Sequence, residues 1–137
     1  MAKVIMNGRP RRRRETGDRT IDTLEAARIA YAACAEKRAT DIRILEVQGL
    51  TIVADYFVIC TASSSVNAKA IADEVRDQLK LRGKRTPIGV EGRESGWWVL
   101  VDFGDLIVHV FQADAREYYG IDETWADARV VEQSEAA

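Results

Sequence analysis

The chain has 137 residues, of which 47% are hydrophobic and 31% are charged, and its formal net charge is −2. This length and composition predict a single globular domain with a sizeable core. They exclude a membrane span, because no apolar run approaches the roughly 18 residues required, and the first residues do not resemble a secretory signal peptide.

Charge is distributed unevenly along the chain. Residues 1–19 carry seven basic and two acidic side chains, a net +5, which leaves −7 on residues 20–137. The run from Arg11 to Arg14 predicts a disordered arm over residues 1–19, with a weak RNA contact as the alternative. The acidic remainder repels nucleic acid and favours basic partners.

The first predicted helix begins near Asp22, which can cap it together with Glu25 three residues later. Its apolar stripe has helical spacing and consists of Leu24, Ala27, Tyr31 and Cys34. Residues 41–47 alternate apolar and polar side chains, which is typical of a half-exposed strand. Residues 56–61 form a fully apolar strand, which we expect at the centre of the sheet.

A second helix is predicted after the serine turn of Ser63, Ser64 and Ser65, which offers several helix caps. Its buried stripe consists of Ala68, Ile71, Ala72, Val75 and Leu79. A short strand follows at residues 88–91, and its direction is parallel to the strand at 56–61 if the helix is a crossover.

Two apolar runs, residues 97–101 and 106–111, flank a tight turn and predict a β-hairpin. A last helix starts near Asp114. These elements predict an α/β domain with a mixed sheet of about five strands flanked by helices. The single domain covers residues 20–131, and residues 132–137 form a frayed acidic tail.

No set of residues matches a known catalytic or metal-binding pattern. Cys34 and Cys60 lie on separate predicted elements, which favours buried thiols over a disulfide. Neither forms a short metal-ligand pair with His109, the single histidine. Because His109 shares a strand face with Ile107 and Phe111, we interpret it as a buried imidazole. The alternative is a nucleotide-binding or nucleotidyltransferase-like enzyme that uses the serine turn at residues 63–65 with His109.

Aromatic side chains are concentrated in the last third of the chain, among Asp114, Arg116 and Glu117. The aromatic residues are Trp97, Trp98, Phe103, Phe111, Tyr118, Tyr119 and Trp125. We expect most of these aromatic side chains to lie in the core. One or two exposed rings beside acidic groups would form a hot spot for binding a basic protein.

An ordered series of segments resembles the ribosomal silencing factor family, also called Iojap-like proteins. The segments are DYFVICT (55–61), Ser64, AIAD (70–73), GVEG (89–92), WVLVD (98–102), GD (104–105), VHVF (108–111), REYY (116–119) and WAD (125–127). The resemblance covers about residues 24–127. The chain departs from it at Gly120, Ile121 and Asp122, where relatives usually have an acidic residue, Leu and Glu.

The resemblance implies a non-catalytic protein with a nucleotidyltransferase-like fold that lacks the catalytic carboxylates, any cofactor and any metal. It implies binding to ribosomal protein L fourteen on the large subunit, steric block of joining with the small subunit, and repression of translation. A bacterial cytoplasmic location and a homodimer are further expectations. We predict a protein-binding site formed by Trp98, Asp102, Asp105, His109, Phe111, Arg116 and Tyr119.

Overall fold

The computed structural model describes residues 21–135. The predicted arginine-rich arm, including Arg11 to Arg14, lies outside the described residues, and so do residues 136–137. Among the described residues, no helix is long and apolar enough to cross a lipid bilayer.

Helices and strands follow one another in an α/β order. In chain order they are α1 (Thr23–Glu36), β1 (Thr40–Glu46), β2 (Tyr56–Ala62), α2 (Ser65–Gly83), β3 (Gly89–Glu91), β4 (Trp98–Asp102), β5 (Leu106–Gln112), α3 (Ala113–Tyr119), α4 (Ile121–Thr124) and β6 (Arg129–Gln133).

These strands form one mixed sheet in the order β3-β4-β5-β2-β1-β6. β2 and β5 are parallel neighbours, with Tyr56 opposite Leu106 and Ala62 opposite Gln112. The other neighbouring pairs are antiparallel. β3 therefore runs parallel to β2, and α2 is the crossover between them, which is the arrangement that the sequence analysis gave as a condition. The mixed α/β architecture is confirmed.

The sixth strand, β6, was not predicted. It pairs with β1 at the edge of the sheet, with Ile44 opposite Glu132 and Arg43 opposite Gln133. Ser134 continues this contact, because its Oγ accepts a hydrogen bond from the Ile42 N–H at 2.8 Å. The prediction of a frayed tail is therefore wrong for residues 132–134. Backbone pairing holds these residues against β1, and the mostly polar sequence of the segment gave no sign of this pairing.

Both long helices begin at the predicted caps. The Asp22 carboxylate accepts from the Glu25 N–H at 2.8 Å, and Ser64 Oγ accepts from the Asn67 N–H at 3.0 Å. Each bond satisfies one of the backbone donors that a helix N-terminus leaves unpaired. The buried face of α1 differs in part from the predicted stripe. Leu24 and Tyr31 are only half-buried, and alanines fill most of that face.

The core has two layers, one on each face of the sheet. The first lies under α1 and α2 and contains Cys34 and Cys60, which are buried free thiols as predicted. The second lies under α3, α4 and the segment 47–54, and includes Phe57, Ile107 and Phe111. Alternation along β5 separates the layers, because odd-numbered residues face the second and even-numbered ones the first.

A buried ion pair joins three segments at the end of the sheet where β2 and β5 begin. The Arg85 guanidinium donates to one oxygen of the Asp105 carboxylate, and Thr23 Oγ1 donates to the other at 2.6 Å. The Asp105 carbonyl also accepts from the backbone N–H groups of Asp55 and Tyr56. Asp105 therefore connects the β4–β5 turn to α1, to β2 and to the end of α2.

Substitution Asp105→Ala would leave the Arg85 charge buried without this carboxylate. Removing one partner of a buried pair costs about 3–5 kcal/mol, so we expect a loss of that size in the free energy of unfolding by urea. Glu94→Ala, at an exposed loop position, serves as the control. A loss below about 1 kcal/mol, the range of surface pairs, would contradict this role for Asp105.

Candidate protein-binding surface

The hairpin register brings the start of β4 against the end of β5. Trp98 lies opposite Phe111, and the Gln112 N–H donates to the Trp97 carbonyl at 3.0 Å. Since α3 begins at Ala113, directly after β5, its side chains lie next to the residues that precede β4. Trp97 and Tyr118, which are 21 residues apart in the chain, therefore belong to one surface.

Three exposed aromatic rings meet on this surface, and we call them the outer cluster: Trp97, Tyr118 and Tyr119. Ring centroids of Trp97 lie 5.8 Å from Tyr118 and 5.5 Å from Tyr119, and the two tyrosines are 5.1 Å apart. Their exposed fractions are 36%, 75% and 43%. Large exposed rings in mutual contact are typical of protein-binding hot spots.

A layer of buried rings supports the outer cluster. Trp98 is half-buried, stacks on Phe111 at 4.7 Å and contacts Tyr119 at 4.5 Å. Its Nε1–H donates to His109 Nδ1 at 3.2 Å, so the imidazole proton is on Nε2. His109 is fully buried, and this burial lowers its pKa from 6.5 to about 3. His109 is therefore a neutral hydrogen-bond acceptor within the core.

The loop before Trp97 is fixed by close packing. Gly96 has φ +71°, and a Cβ there would lie 2.8 Å from both the Cβ and the carbonyl oxygen of Ser65, which is closer than real contacts allow. Gln112 Nε2 donates to the Gly96 carbonyl at 2.8 Å. Arg93 forms a two-point ion pair with Asp73 of α2, at 2.9 and 2.7 Å. Trp97 is therefore presented on a constrained backbone.

Arg116 fixes α3 to the sheet. Its Nε and Nη2 donate to the Asp122 carboxylate at 2.8 and 3.0 Å, and its Nη1 donates to the Asp41 carbonyl and to Thr61 Oγ1. These hydrogen bonds lower the pKa of Asp122 below its ordinary range. Because Arg116 is buried, it positions the helix that carries Tyr118 and Tyr119 and is not itself exposed.

The structure brings together only some of the residues that the sequence nominated. Trp98, His109, Phe111 and Tyr119 form one aromatic group. Arg116 lies behind that group. Asp102 and Asp105 lie away from it, at the far end of the hairpin from Trp98, and Asp102 Oδ1 accepts from the Gly104 N–H at 2.8 Å.

Trp97 and Tyr118 were missed as site residues, although both stood in the aromatic-rich stretch. A hairpin register alone would have placed Trp97 beside α3. Asp114 was also missed, and its carboxylate accepts from Trp97 Nε1 at 3.4 Å. The spacing of adjacent aromatic residues in the sequence does not show which of them is exposed.

The serine turn and His109 do not form a common site. Ser64 caps α2, and the Ser63 N–H donates to Asn67 Oδ1 at 2.9 Å, so local contacts already use this turn. α2 packs on the first face of the sheet, whereas His109 lies in the layer on the second face. Over residues 21–135, no three His, Cys, Asp or Glu side chains converge as metal ligands do.

Comparison with known proteins decides the family. The family model described as ribosomal silencing factor during starvation matches residues 20–137. The chain belongs to this family. A ribosomal silencing factor of Bacillus subtilis is 46% identical over 101 residues, which are 74% of this chain and 85% of that protein.

Two further similarities agree with this assignment to the ribosomal silencing factors. One from Halalkalibacterium halodurans is 38% identical over 111 residues, covering 79% of this chain and 92% of the relative. A crystal structure of a Chromobacterium violaceum protein superposes with a TM-score of 0.74 at 33% identity, covering 85% of this chain and 93% of the other.

The low pKa of His109 predicts a specific pH dependence of stability. The unfolded chain binds a proton near pH 6.5 and the folded chain only near pH 3, so acidification favours unfolding within this window. We expect the free energy of unfolding to fall by about 2 kcal/mol between pH 7 and pH 5. Urea titrations at several pH values measure it.

The matched control is His109→Gln, whose amide oxygen can accept from Trp98 without titrating. We expect its stability to be nearly independent of pH over the same interval, since Asp and Glu side chains titrate mainly below about pH 5. Equal slopes for the two proteins would show that His109 is not the titrating group.

Proposed function

We propose that this ribosomal silencing factor binds ribosomal protein L fourteen on the large subunit. Bound there, it sterically blocks joining with the small subunit and so represses translation. Membership of the family, with a model match over residues 20–137, is the observation that carries the proposal. The alternative, a nucleotide enzyme, is disfavoured because its candidate residues lie on different faces of the sheet.

The charge of the domain supports a basic protein partner. Residues 20–137 carry a net −7, and Asp114 stands exposed beside Trp97 of the outer cluster. Opposite charges accelerate encounter and fix orientation, while buried aromatic contacts supply most of the affinity. A basic ribosomal protein meets both requirements.

We assign different roles to the residues nominated from the sequence. Tyr119 is a contact residue, and Trp98, His109 and Phe111 support it from below. Arg116 holds α3 in place. Asp102 and Asp105 belong to the opposite end of the hairpin, and we propose a stabilising role for them instead of a direct contact.

The mechanism that we propose is non-catalytic and requires no cofactor. Support comes from His109, which is buried and neutral, and from a serine turn whose hydrogen bonds serve the start of α2. A protein that acts by occupying a surface needs only affinity and bulk. The bacterial relatives of this chain support action in a bacterial cytoplasm.

A homodimer is compatible with this mechanism. Leu50 and Ile52 are exposed apolar side chains in the segment that leads into the start of β2. The outer cluster lies at the other end of the sheet, where β5 ends and α3 begins. A second copy could therefore bind through Leu50 and Ile52 without covering the outer cluster.

Co-sedimentation with isolated large subunits, small subunits and joined ribosomes tests the main proposal. We expect binding to free large subunits only, and fewer joined ribosomes when small subunits are added afterwards. Tyr119→Ala should weaken binding by about tenfold or more, the effect of losing a hot-spot residue. The exposed apolar substitution Val66→Ala, on α2, is the matched control.

Absence of binding to large subunits at moderate salt would overturn the proposal. Binding without any effect on joining would refute the steric mechanism and retain the partner. The folded state of each variant is checked by its far-ultraviolet circular dichroism.

We further propose that Arg11, Arg12, Arg13 and Arg14 contact ribosomal RNA weakly. Each phosphate contact contributes about 0.7–0.9 to the slope of log affinity against log salt. Replacing the four arginines with glutamine should therefore lower that slope by about 3–4 while preserving binding. An unchanged slope would exclude the contact.

A further inference from the structure

We infer that the outer cluster receives an arginine side chain of the partner protein through a cation–π contact. This inference rests on the proposed function, because it specifies the chemistry of the same surface. Three features carry it: the exposed ring faces of Trp97, Tyr118 and Tyr119, the Asp114 carboxylate beside Trp97 and the rigidity of their backbone.

The geometry of the rings places a ligand on their outer side. Centroid separations of 5.1–5.8 Å mean that the three rings already contact one another, so nothing fits between them. Tyr118 is nevertheless 75% exposed and Trp97 is 36% exposed. Each exposed ring face can attract a cation within about 6 Å of its centroid, and Trp gives the strongest attraction.

The charged groups around the cluster favour a cation. Trp97 Nε1 donates to the Asp114 carboxylate at 3.4 Å, and Glu117 is exposed in the same helix. Arg116, the basic residue of α3, is directed inward onto Asp122 and does not occupy the ring faces. A cation stacked on Trp97 would therefore have the Asp114 carboxylate beside it.

Arginine fits this surface better than the alternatives. Its planar guanidinium stacks on an aromatic face and donates to carboxylates at the same time, and it loses less hydration than a lysine ammonium. An RNA base would also stack on these rings. Its phosphates would then approach the Asp114 carboxylate, which is unfavourable.

The cluster is held in place before any partner arrives. Gly96 lies against Ser65, Gln112 holds the Gly96 carbonyl, and Arg116 ties α3 to Asp122. Little conformational entropy is then lost on binding, which is the advantage of a preformed site.

Site-specific incorporation of fluorinated tryptophans at position 97 tests the inference. Added fluorines weaken the attraction of the ring for a cation and leave its shape nearly unchanged. We expect the affinity for isolated large subunits to fall with each fluorine, by about three- to tenfold at the most fluorinated ring. The same series at Trp125, which packs on Phe57, is the matched control.

The outcomes separate this inference from the function on which it rests. Failure of the unmodified protein to bind large subunits would overturn the proposed function. Binding with equal affinity across the Trp97 series would overturn the arginine contact alone. The affinity for purified ribosomal protein L fourteen should follow the same trend. A trend seen with ribosomal RNA fragments instead would indicate base stacking and refute the arginine contact.

Polar variants provide a second measurement. Asp114→Asn should weaken binding about two- to fivefold, with a larger effect at low salt, because screening reduces the contribution of exposed charges. Tyr118→Phe should retain affinity and Tyr118→Leu should lose it. Equal affinities for these two Tyr118 variants would contradict a contact with the ring face.

Discussion

The opposition of Trp98 and Phe111 in the β4–β5 hairpin is the contact on which the candidate surface depends. It sets Trp97 beside α3 and aligns Trp98, Phe111 and His109 on one face. A shift of β4 by one residue against β5 would turn Trp98 to the face opposite Phe111 and His109. The strands are apolar on both faces, so the turn at Gly104 and the Trp98–His109 hydrogen bond help to specify the register.

Buried polar groups also help to specify how the candidate surface is packed. Arg116 and His109 are both buried, but their charge states differ. Arg116 keeps its charge because Asp122 and the Asp41 carbonyl surround its guanidinium, whereas His109 has no carboxylate and stays neutral. Arg116 disfavours alternative placements of α3, since a misplaced helix would leave the guanidinium unpaired.

Most of the fold was predictable from local signals. Asp22 and Ser64 mark the starts of α1 and α2, and the apolar runs identify β2, β4 and β5. β6 was not predictable, because Val130 and Val131 are its only apolar residues and its pairing partner, β1, is about 85 residues away. The strand exists through backbone hydrogen bonds that any sequence without proline can form.

The candidate site was predictable in part. The sequence identified Trp98, Phe111 and Tyr119, which the structure places together. It could not show that Trp97 is the exposed member of the Trp97–Trp98 pair, since both residues suit a strand. Asp105 was grouped with them because it is near in sequence, but a five-residue strand separates the two ends of the hairpin.

The parallel pairing of β2 with β5 has a consequence for the order of folding. It joins residues 50 positions apart, such as Tyr56 and Leu106, and must close a long loop, whereas the β4–β5 hairpin forms from neighbouring residues. Arg116 reaches its acceptors at Thr61 and Asp41 only when β2 and β1 have joined the sheet. A chain that has formed the hairpin alone therefore lacks the Arg116 anchor that holds Tyr118 and Tyr119 beside Trp97.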